Sequence, residues 1–455
     1  MTRHVSALVV GGGISGLVCA ATLQKSGVEV ELVEASPRFG GAIRSVSRDG
    51  YLVEHGPQSF SGTAALRELC SELGLLGEII EAPHSAPRFV LVDNKLRSVP
   101  LSPPAFFTSN LIDVASKWAL LRDIFGKSIP PDSDESVAEF VRRKFSPLLL
   151  ERLVGPFVSG VYAGDPETLS LRAAFPQLHD AEACAGSIVR GMKRLSKARN
   201  APREKATLQT FRQGNQTLTR ALAAKLGPAA RTGIAVKDVS QQSGGSYDVR
   251  LASGTISETI STKTLVIATP TDVAGKLLSQ LDSAFDELLT PVEYAPVAVV
   301  SLGYRNVDLG HGLNGFGFLV PRSSGLHILG TVWNSSLFPG RAPKGRVLLT
   351  AFVGGATDPS AAELSESELL ALVHREITPI LTIGKEPVFK SITIWPRALP
   401  QYNLGHTARI ASVTKHLARC NGIFLSGNYL RGPAIGACVD QALAVAGEAS
   451  TYLST

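Results

Sequence analysis

The 455-residue sequence predicts a chain of α/β and α+β character: a discontinuous doubly wound nucleotide-binding domain, a second domain with a large mixed sheet, and a helical segment. Three observations predict it. Residues 5–35 read as an apolar strand, a glycine turn, a helix and a second strand; this alternation returns after residue 208 and again after 422; and residues 291–400 are dense in β-branched and aromatic side chains.

In the first unit, Gly11, Gly13 and Gly16 fit the G-x-G-x-x-G spacing of a Rossmann-like turn. The first glycine permits the tight turn, the second lets backbone approach a pyrophosphate, and the third lets the helix pack closely on the strand. Glu34 ends the second strand, where a carboxylate meets the ribose hydroxyls of an adenine dinucleotide. Gly12, Ile14, Ser15 and Ala35 flank these positions and belong to the expected cradle. Residues 5–24 carry no charge, as a secretory signal would not, but glycines weaken an apolar signal helix and the run continues into a patterned strand rather than a cleavage site.

Composition narrows the classes. Hydrophobic residues make up 44% of the chain and charged ones only 18%, which suggests apolar surface suited to a membrane or an apolar ligand. A net charge of +6 is mild for this length; it does not imply nucleic acid and would suit anionic lipid or a carboxylate substrate. Five scattered cysteines without a C-x-x-C predict a reducing compartment and no disulfide framework, and the nine histidines show no metal spacing, so no metal is expected. No H-E-x-x-H, nucleophile elbow or complete P-loop occurs.

Along the chain, Gly40 and Gly41 can bring backbone against the same ligand a second time, and GYLVEHGPQSF follows at residues 50–60. Residues 63–81 read as a helix ending near Gly74, and 87–99 as a hairpin around Asp93 and Asn94. Residues 100–125 hold a dense apolar set, including Leu101, Phe106, Phe107, Leu111, Trp118, Leu121 and Phe125. It is too interrupted to span a bilayer and reads equally as an interfacial helix or as core. Residues 135–153 continue as helix. The small residues Ser159, Gly160, Ala163 and Gly164 then permit close backbone approach, for helix packing or for a ligand. Residues 190–205 set seven basic side chains against Glu204 and read as a solvated, mobile connection; no interleaved aromatics suggest single-stranded nucleic acid. The strands expected at 297–304, 317–320, 327–332, 347–353 and 388–395, with one helix at 366–380, wall an apolar cavity. Residues 422–453 read as strand, glycine turn and helix, directing a second helix N-terminus toward anionic or electron-rich atoms.

The glycine pair after the acidic residue, followed by GYLVEHGPQSF, resembles FAD-binding oxidoreductases of the amine oxidase and phytoene desaturase type, although Ala42 stands where that pattern has Arg or Lys. Over its full length the chain resembles the protoporphyrinogen oxidase family, through GPQSF at 56–60, PFVSGVYAGDPETLS at 156–170, TFRQGNQTL at 210–218, LFPGRAP at 337–343, TAFVGG at 350–355 and GNYLRGPAIGACV at 427–439. The resemblance implies a flavoprotein that removes six electrons from a porphyrinogen in three passes to FAD, with dioxygen as acceptor and hydrogen peroxide formed. It implies FAD contacts at Gly41, Gly56, Pro57, Gln58, Ser59, Val236, Pro433, Ala434 and Ile435 beside the cradle above. It implies substrate contacts at Arg88 for a propionate, Gly160 for the ring system, and Leu319, Val332 and Phe352 for the pyrroles. No acid or base residue is expected to be catalytic.

The implied division assigns 1–86, 207–275 and 405–455 to FAD binding, 87–100 and 276–404 to the substrate domain, and 101–206 to a helical, membrane-associating part. It places the protein peripherally on the cytoplasmic face of a membrane, without signal peptide or transmembrane helix. Ferrochelatase or another tetrapyrrole enzyme would be a recipient of product, a homodimer is a conceivable assembly, and nucleic acid is not a partner. Coproporphyrinogen III is the nearest alternative substrate; amine or carotenoid oxidation leaves the AGDP phrase unexplained. A lipid-binding carrier of the GDP dissociation inhibitor type is the non-enzymatic alternative.

Overall fold

The computed structural model describes residues 2–198 and 207–455. The first unit forms as β1 (Thr2–Val10), α1 (Ile14–Lys25) and β2 (Val30–Glu34). Ala7, Leu8 and Val9 in β1 are fully buried, as a strand covered on both faces requires. The sheet runs in the order Ala230–Thr232, β2, β1, Ile256–Ile267, Tyr247–Ser253, Ala235–Gln241, with Ile423–Leu425 added parallel at the carboxyl end of Ile256–Ile267. Helix α1 is apolar all round because it lies between the sheet and the last helix, Ile435–Ser454, and its Leu17, Val18, Ala20 and Ala21 share a core with Val439, Ala442 and Ala446. Val10 pairs with Ile267, and Ile267 with Leu425, so three strands end side by side at the glycine turn. In doubly wound sheets ligands bind at those carboxyl ends.

The second sheet also has seven strands, ordered Phe389–Pro400, Tyr294–Arg305, Arg346–Gly354, Ile328–Val332, Gly317–Leu319, Arg88–Val92, Lys95–Ser98. It is mixed: Gly317–Leu319 and Arg88–Val92 are parallel and the remaining pairs antiparallel. Asp93 and Asn94 turn the expected hairpin with φ of +51° and +56°, the left-handed pair of a two-residue turn that asparagine and aspartate tolerate best after glycine. Helix Glu366–Leu381 covers one face through Leu369, Leu372, Val373 and Ile377, started by a capping box between Ser365 and Glu368.

Residues between the sheets are helical but more broken than the sequence suggests. The helix expected over 135–153 ends at Lys144; Phe145 leaves helical geometry, and a new helical run starts after Ser146, whose hydroxyl caps it. Within 63–81, the helix is Ala64–Glu72 and Ile79–Glu81 is a strand, because its backbone pairs with Leu208–Phe211. The basic stretch also differs from a solvated connection where it is described: Ile188–Ala198 is helical, and Arg190 donates to the carbonyls of Ile124, Gly126 and Ala185. A cation there satisfies the orphan carbonyls ending Val114–Phe125. Arg199, Arg203, Glu204 and Lys205 lie outside the described residues.

A charge cluster holds this helical part together. Arg143 contacts Glu135 at 2.7 Å and Glu182 at 2.8 Å, and Lys144 contacts Asp123 at 2.9 Å and Glu182 at 3.1 Å. Burial works to raise the Glu182 pKa, but hydrogen bonds from Arg143, Ser128 and Lys144 outweigh it and bring it from 4.5 down to about 2. A carboxylate depressed in this way stabilises the fold fully above its unfolded value, and the contribution is lost as pH falls from about 4.5 to about 2. Glu182→Gln should therefore flatten the fall in melting temperature across that window; an unchanged acid profile would remove Glu182 as its source. Lys144→Met leaves buried carboxylates short of a partner and should cost about 3–5 kcal/mol in urea denaturation.

Candidate active site

The glycine turn is built as its spacing predicts. Gly11 has φ +108°, and a Cβ there would lie 2.6 Å from the Ala268 carbonyl oxygen. A Cβ on Gly16 would lie 1.9 Å from the Gly11 carbonyl oxygen, so α1 sits directly under the turn. Gly13 meets nothing within 4 Å, and no side chain caps α1, so its first N–H groups face open space. Gly40 N–H donates to the Gly12 carbonyl at 2.8 Å, and a Cβ on Gly41 would lie 3.3 Å from Gly13 Cα; the second glycine pair thus folds back on the first turn. Ala42, beside it, is exposed, and Arg38 braces this loop through the carbonyls of Phe39, Gly41 and Ile43.

Half-buried Glu34 accepts from Gly12 N–H at 2.6 Å and from Ser36 N–H at 2.8 Å, with Ala35 exposed next to it. Thr232 pairs with Glu34, which brings the strand carrying Val236 alongside the acid. A second helix begins after Pro433 and Ala434, at Ile435, again with no side-chain cap, and the Ser15 hydroxyl reaches the Cys438 thiol between the two helix starts. Thr269 and Ser426, just past the strand ends, have buried hydroxyls without partners. Two uncapped helix N-termini, a carboxylate at a strand end and orphaned hydroxyls fit the pyrophosphate and ribose of an adenine dinucleotide.

The turn 56–59 sits beside this cradle, since a Cβ on Gly56 would lie 2.0 Å from the Ala42 carbonyl oxygen. Gln58 spends its amide on the turn itself: its nitrogen donates to the Glu54 and Gly56 carbonyls, and its oxygen accepts from Asn334. Pro57 presents its carbonyl to the Asn215 amide, and Ser59 is half-buried.

Sheet register gathers four of the five expected substrate residues, and a helix brings the fifth, Gly160. Gly317 pairs with both Arg88 and Val332, and Leu319 with Gly330, which pairs with Phe352. Residues two apart on a strand point the same way, so Arg88, Leu319, Val332 and Phe352 share one face. Phe318, Ala351 and Val353 on the opposite face are at most 1% exposed, whereas Leu319, Val332 and Phe352 are half-buried. Gly160 is exposed on helix Gly155–Tyr162, and a Cβ there would lie 2.4 Å from Leu319 Cδ2. Arg88 is exposed at the sheet's end with its guanidinium 5.5 Å from the Phe316 ring centre, and among the described residues no carboxylate pairs with it. It borders a cleft of about 110 Å³ lined also by Ala82, His84, Ala86, Leu208 and Phe316. Half-buried Val332 packs on the same small cluster, around Ala82, as the cleft residues Ala86, Leu208 and Phe316, so cleft and face adjoin.

Sequence reasoning missed the polar residues behind this site. His55 is buried, with Nε2 3.1 Å from Ser391 Oγ and Nδ1 without a partner. Burial first, then the charges of Arg44, Arg48 and Arg38, push its pKa down to about 4, so the ring is neutral near pH 7. Glu54 and Arg341, each 2% exposed, form an ion pair at 3.1 Å. Both lie within quoted motifs, GYLVEHGPQSF and LFPGRAP, but nothing local pairs positions 287 apart. Gly16→Val should displace α1 from the turn, and the variant is expected to purify colourless and to fail to take up added FAD; a full flavin complement by absorption would contradict the cradle.

A model of the flavin containing amine oxidoreductases matches residues 14–452. The chain is 37% identical to the chloroplastic protoporphyrinogen oxidase of Nicotiana tabacum, over 99% of this chain and 86% of that one. It is 31% identical to the coproporphyrinogen III oxidase of Bacillus subtilis (strain 168), over 99% and 98%. A crystal structure from Exiguobacterium sp. 255-15, provisionally assigned as a protoporphyrinogen oxidase, shares the fold with a TM-score of 0.81 at 24% identity, over 99% of both chains. With an adenine-dinucleotide cradle at its strand ends and this likeness along its whole length, the chain belongs to the FAD-dependent flavin containing amine oxidoreductase family and, within it, to the porphyrinogen oxidases.

Proposed function

We propose that the protein oxidises protoporphyrinogen IX to protoporphyrin IX, with dioxygen as acceptor. The observation that carries this reading is the meeting of Arg88, Gly160, Leu319, Val332 and Phe352, drawn from three parts of the chain, on one half-open sheet face beside the cofactor turn. Held in the cradle, FAD would supply a two-electron acceptor that dioxygen can reoxidise, with hydrogen peroxide as the product. The chain's residues bind and orient. Leu319, Val332 and Phe352 offer an apolar floor for the macrocycle, Gly160 lets helix backbone come up against Leu319 at the edge of that floor, and Arg88 fixes orientation by holding a carboxylate in two hydrogen bonds. The apolar floor favours vinyl and methyl edges over two further carboxylates, which supports protoporphyrinogen over coproporphyrinogen.

The same reading extends to a membrane surface. Among the described residues no helix is long and apolar enough to cross a membrane. Helix Val114–Phe125 nevertheless exposes Val114, Trp118 and Phe125 at 67%, 67% and 85%, and Ile129 follows at 88%. Val114, Trp118 and Phe125 recur at helical spacing and form one stripe, while Ile129 lies past the helix end. Arg122, Lys127, Lys193 and Arg194 are exposed on the same helical part, as contact with anionic lipid would require. Phe157 and Val161, on the helix that carries Gly160, are also exposed, which would open the site toward the lipid. An apolar product would leave there, toward a tetrapyrrole enzyme such as ferrochelatase.

Steady-state assays should show three molecules of hydrogen peroxide per protoporphyrinogen IX consumed and a higher kcat/KM for it than for coproporphyrinogen III; the reverse preference would move the assignment to the sister activity. Arg88→Ala should raise KM about tenfold, the value of a lost charge-assisted hydrogen bond, with a smaller change in kcat. Unchanged kinetics would remove Arg88 from the site. Trp118→Ser with Phe125→Ser should cut co-sedimentation with phosphatidylserine vesicles about tenfold or more, since each buried ring contributes about 1.5–3 kcal/mol. Equal binding by both proteins would leave the stripe without this role.

A further inference from the structure

The LFPGRAP motif is not used by the proposed reaction, yet it sends one side chain into the interior between strands Tyr51–Glu54 and Leu208–Phe211. Arg341 is 2% exposed, and its guanidinium meets Glu54 Oε1 at 3.1 Å, Thr210 Oγ1 at 2.5 Å and the Phe211 carbonyl at 3.4 Å. Its own carbonyl accepts from Leu52 N–H at 3.2 Å, so it grips strand Tyr51–Glu54 through backbone as well. Every other polar partner of Glu54 is also satisfied: Ser45 Oγ donates at 2.6 Å and Asn215 N–H at 2.9 Å.

From that pair, hydrogen bonds run in two steps to the turn 56–59. Thr210 Oγ1 donates to Asn215 Oδ1 at 3.0 Å, and Asn215 Nδ2 donates to the Pro57 carbonyl at 2.7 Å. Gln58 Nε2 donates to the Glu54 and Gly56 carbonyls, both at 2.9 Å, and Asn334 Nδ2 holds the Gln58 oxygen at 2.7 Å. Thr210, Asn215, Asn334 and Gln58 are all at most 8% exposed. A turn whose carbonyls and amide are fixed by buried partners from residues 210–216 and 334–341 has little freedom to shift. Hydrophobic packing alone would leave it more, because dispersion does not define direction as hydrogen bonds do.

We infer that Arg341 is a positioning residue for the cofactor: through Glu54, Thr210 and Asn215 it sets the height of the turn 56–59 against the flavin, and so couples the sheet that offers substrate to the loop that holds FAD. This rests on FAD being bound as the proposed function has it, in the cradle that the turn 56–59 adjoins, and not on which porphyrinogen is used. Arg341 itself touches neither ligand. Arginine suits the post because one planar fork serves a carboxylate, a hydroxyl and a carbonyl at once, which the single ammonium of lysine cannot.

The test uses FAD-loaded protein with Arg341→Lys, Arg341→Met, and Arg341→Met combined with Glu54→Gln. Four quantities are read: the FAD dissociation constant, the absorption spectrum of bound flavin, kcat against KM, and melting temperature. Arg341→Met should weaken FAD binding about tenfold or more, shift the flavin bands and lower kcat, with KM for the porphyrinogen changed less than about twofold. Arg341→Lys should show the same changes at smaller size. The double variant, which no longer buries a lone carboxylate, should recover melting temperature while its flavin spectrum and kcat stay altered. If spectrum, FAD affinity and kcat recover together with stability in the double variant, or are unchanged in all three, Arg341 only supports the fold and the inference fails. Should Arg341→Met not fold, the lysine and double variants decide between the same outcomes. Loss of turnover in the variants with parent-like FAD affinity and flavin spectrum would count against this inference, whereas a parent protein that holds FAD but does not turn over protoporphyrinogen IX would count against the substrate reading alone.

Discussion

A seven-stranded sheet has two faces, and its own helix can cover only one. In this protein helix Glu366–Leu381 closes one face of the second sheet, and the rest of the molecule is arranged around the other. At one end of that face, Tyr51 and Val53 from the nucleotide-binding part pack on Leu348 and Phe389, with the Tyr51 ring stacked 4.3 Å from that of Phe389. At the other end, Ala163 packs with Val297, Val299 and Leu329. Between them lies the strip carrying Val332 and Phe352, half-covered. The face proposed for substrate is what remains when two neighbouring parts each cover one end of an apolar sheet.

That arrangement explains why the cofactor turn and the apolar strip are neighbours although residues 56–59 and 332–352 are remote in sequence. Strand Tyr51–Glu54 covers the sheet, and the chain leaves it directly into the turn. Anchoring a loop on a foreign sheet brings polar groups into the interior, and they are satisfied there by Arg341, Thr210, Asn215 and Asn334 rather than by water. Glu54 is the acute case. Burial pushes its pKa up, and the charge of Arg341 together with donors from Ser45 and Asn215 works against that push.

Much of this was legible in the sequence where a local rule applies. Glycine spacing forecast the turn because Gly11 and Gly16 each have backbone where a Cβ would be. Asp93 and Asn94 forecast the hairpin because few residues accept two successive left-handed conformations. Alternation could say that Leu319, Val332 and Phe352 fit strands, but not which face of the sheet is left open; that is set by helix Glu366–Leu381, a separate element. Arg190 looked like one of many solvated cations, and only the end of helix Val114–Phe125 beside it makes it a cap. The Glu54–Arg341 pair, 287 residues apart, has no local signature at all.

On the proposed function, one apolar face presents protoporphyrinogen IX to a flavin held by the glycine turn. The most direct measurement mixes the FAD-loaded protein with protoporphyrinogen IX in the absence of oxygen and follows flavin absorption. Rapid bleaching by one equivalent of substrate is expected, with full return of the oxidised spectrum when oxygen is admitted. Flavin that stays oxidised with protoporphyrinogen IX, but is bleached by an amine or by coproporphyrinogen III alone, would contradict it.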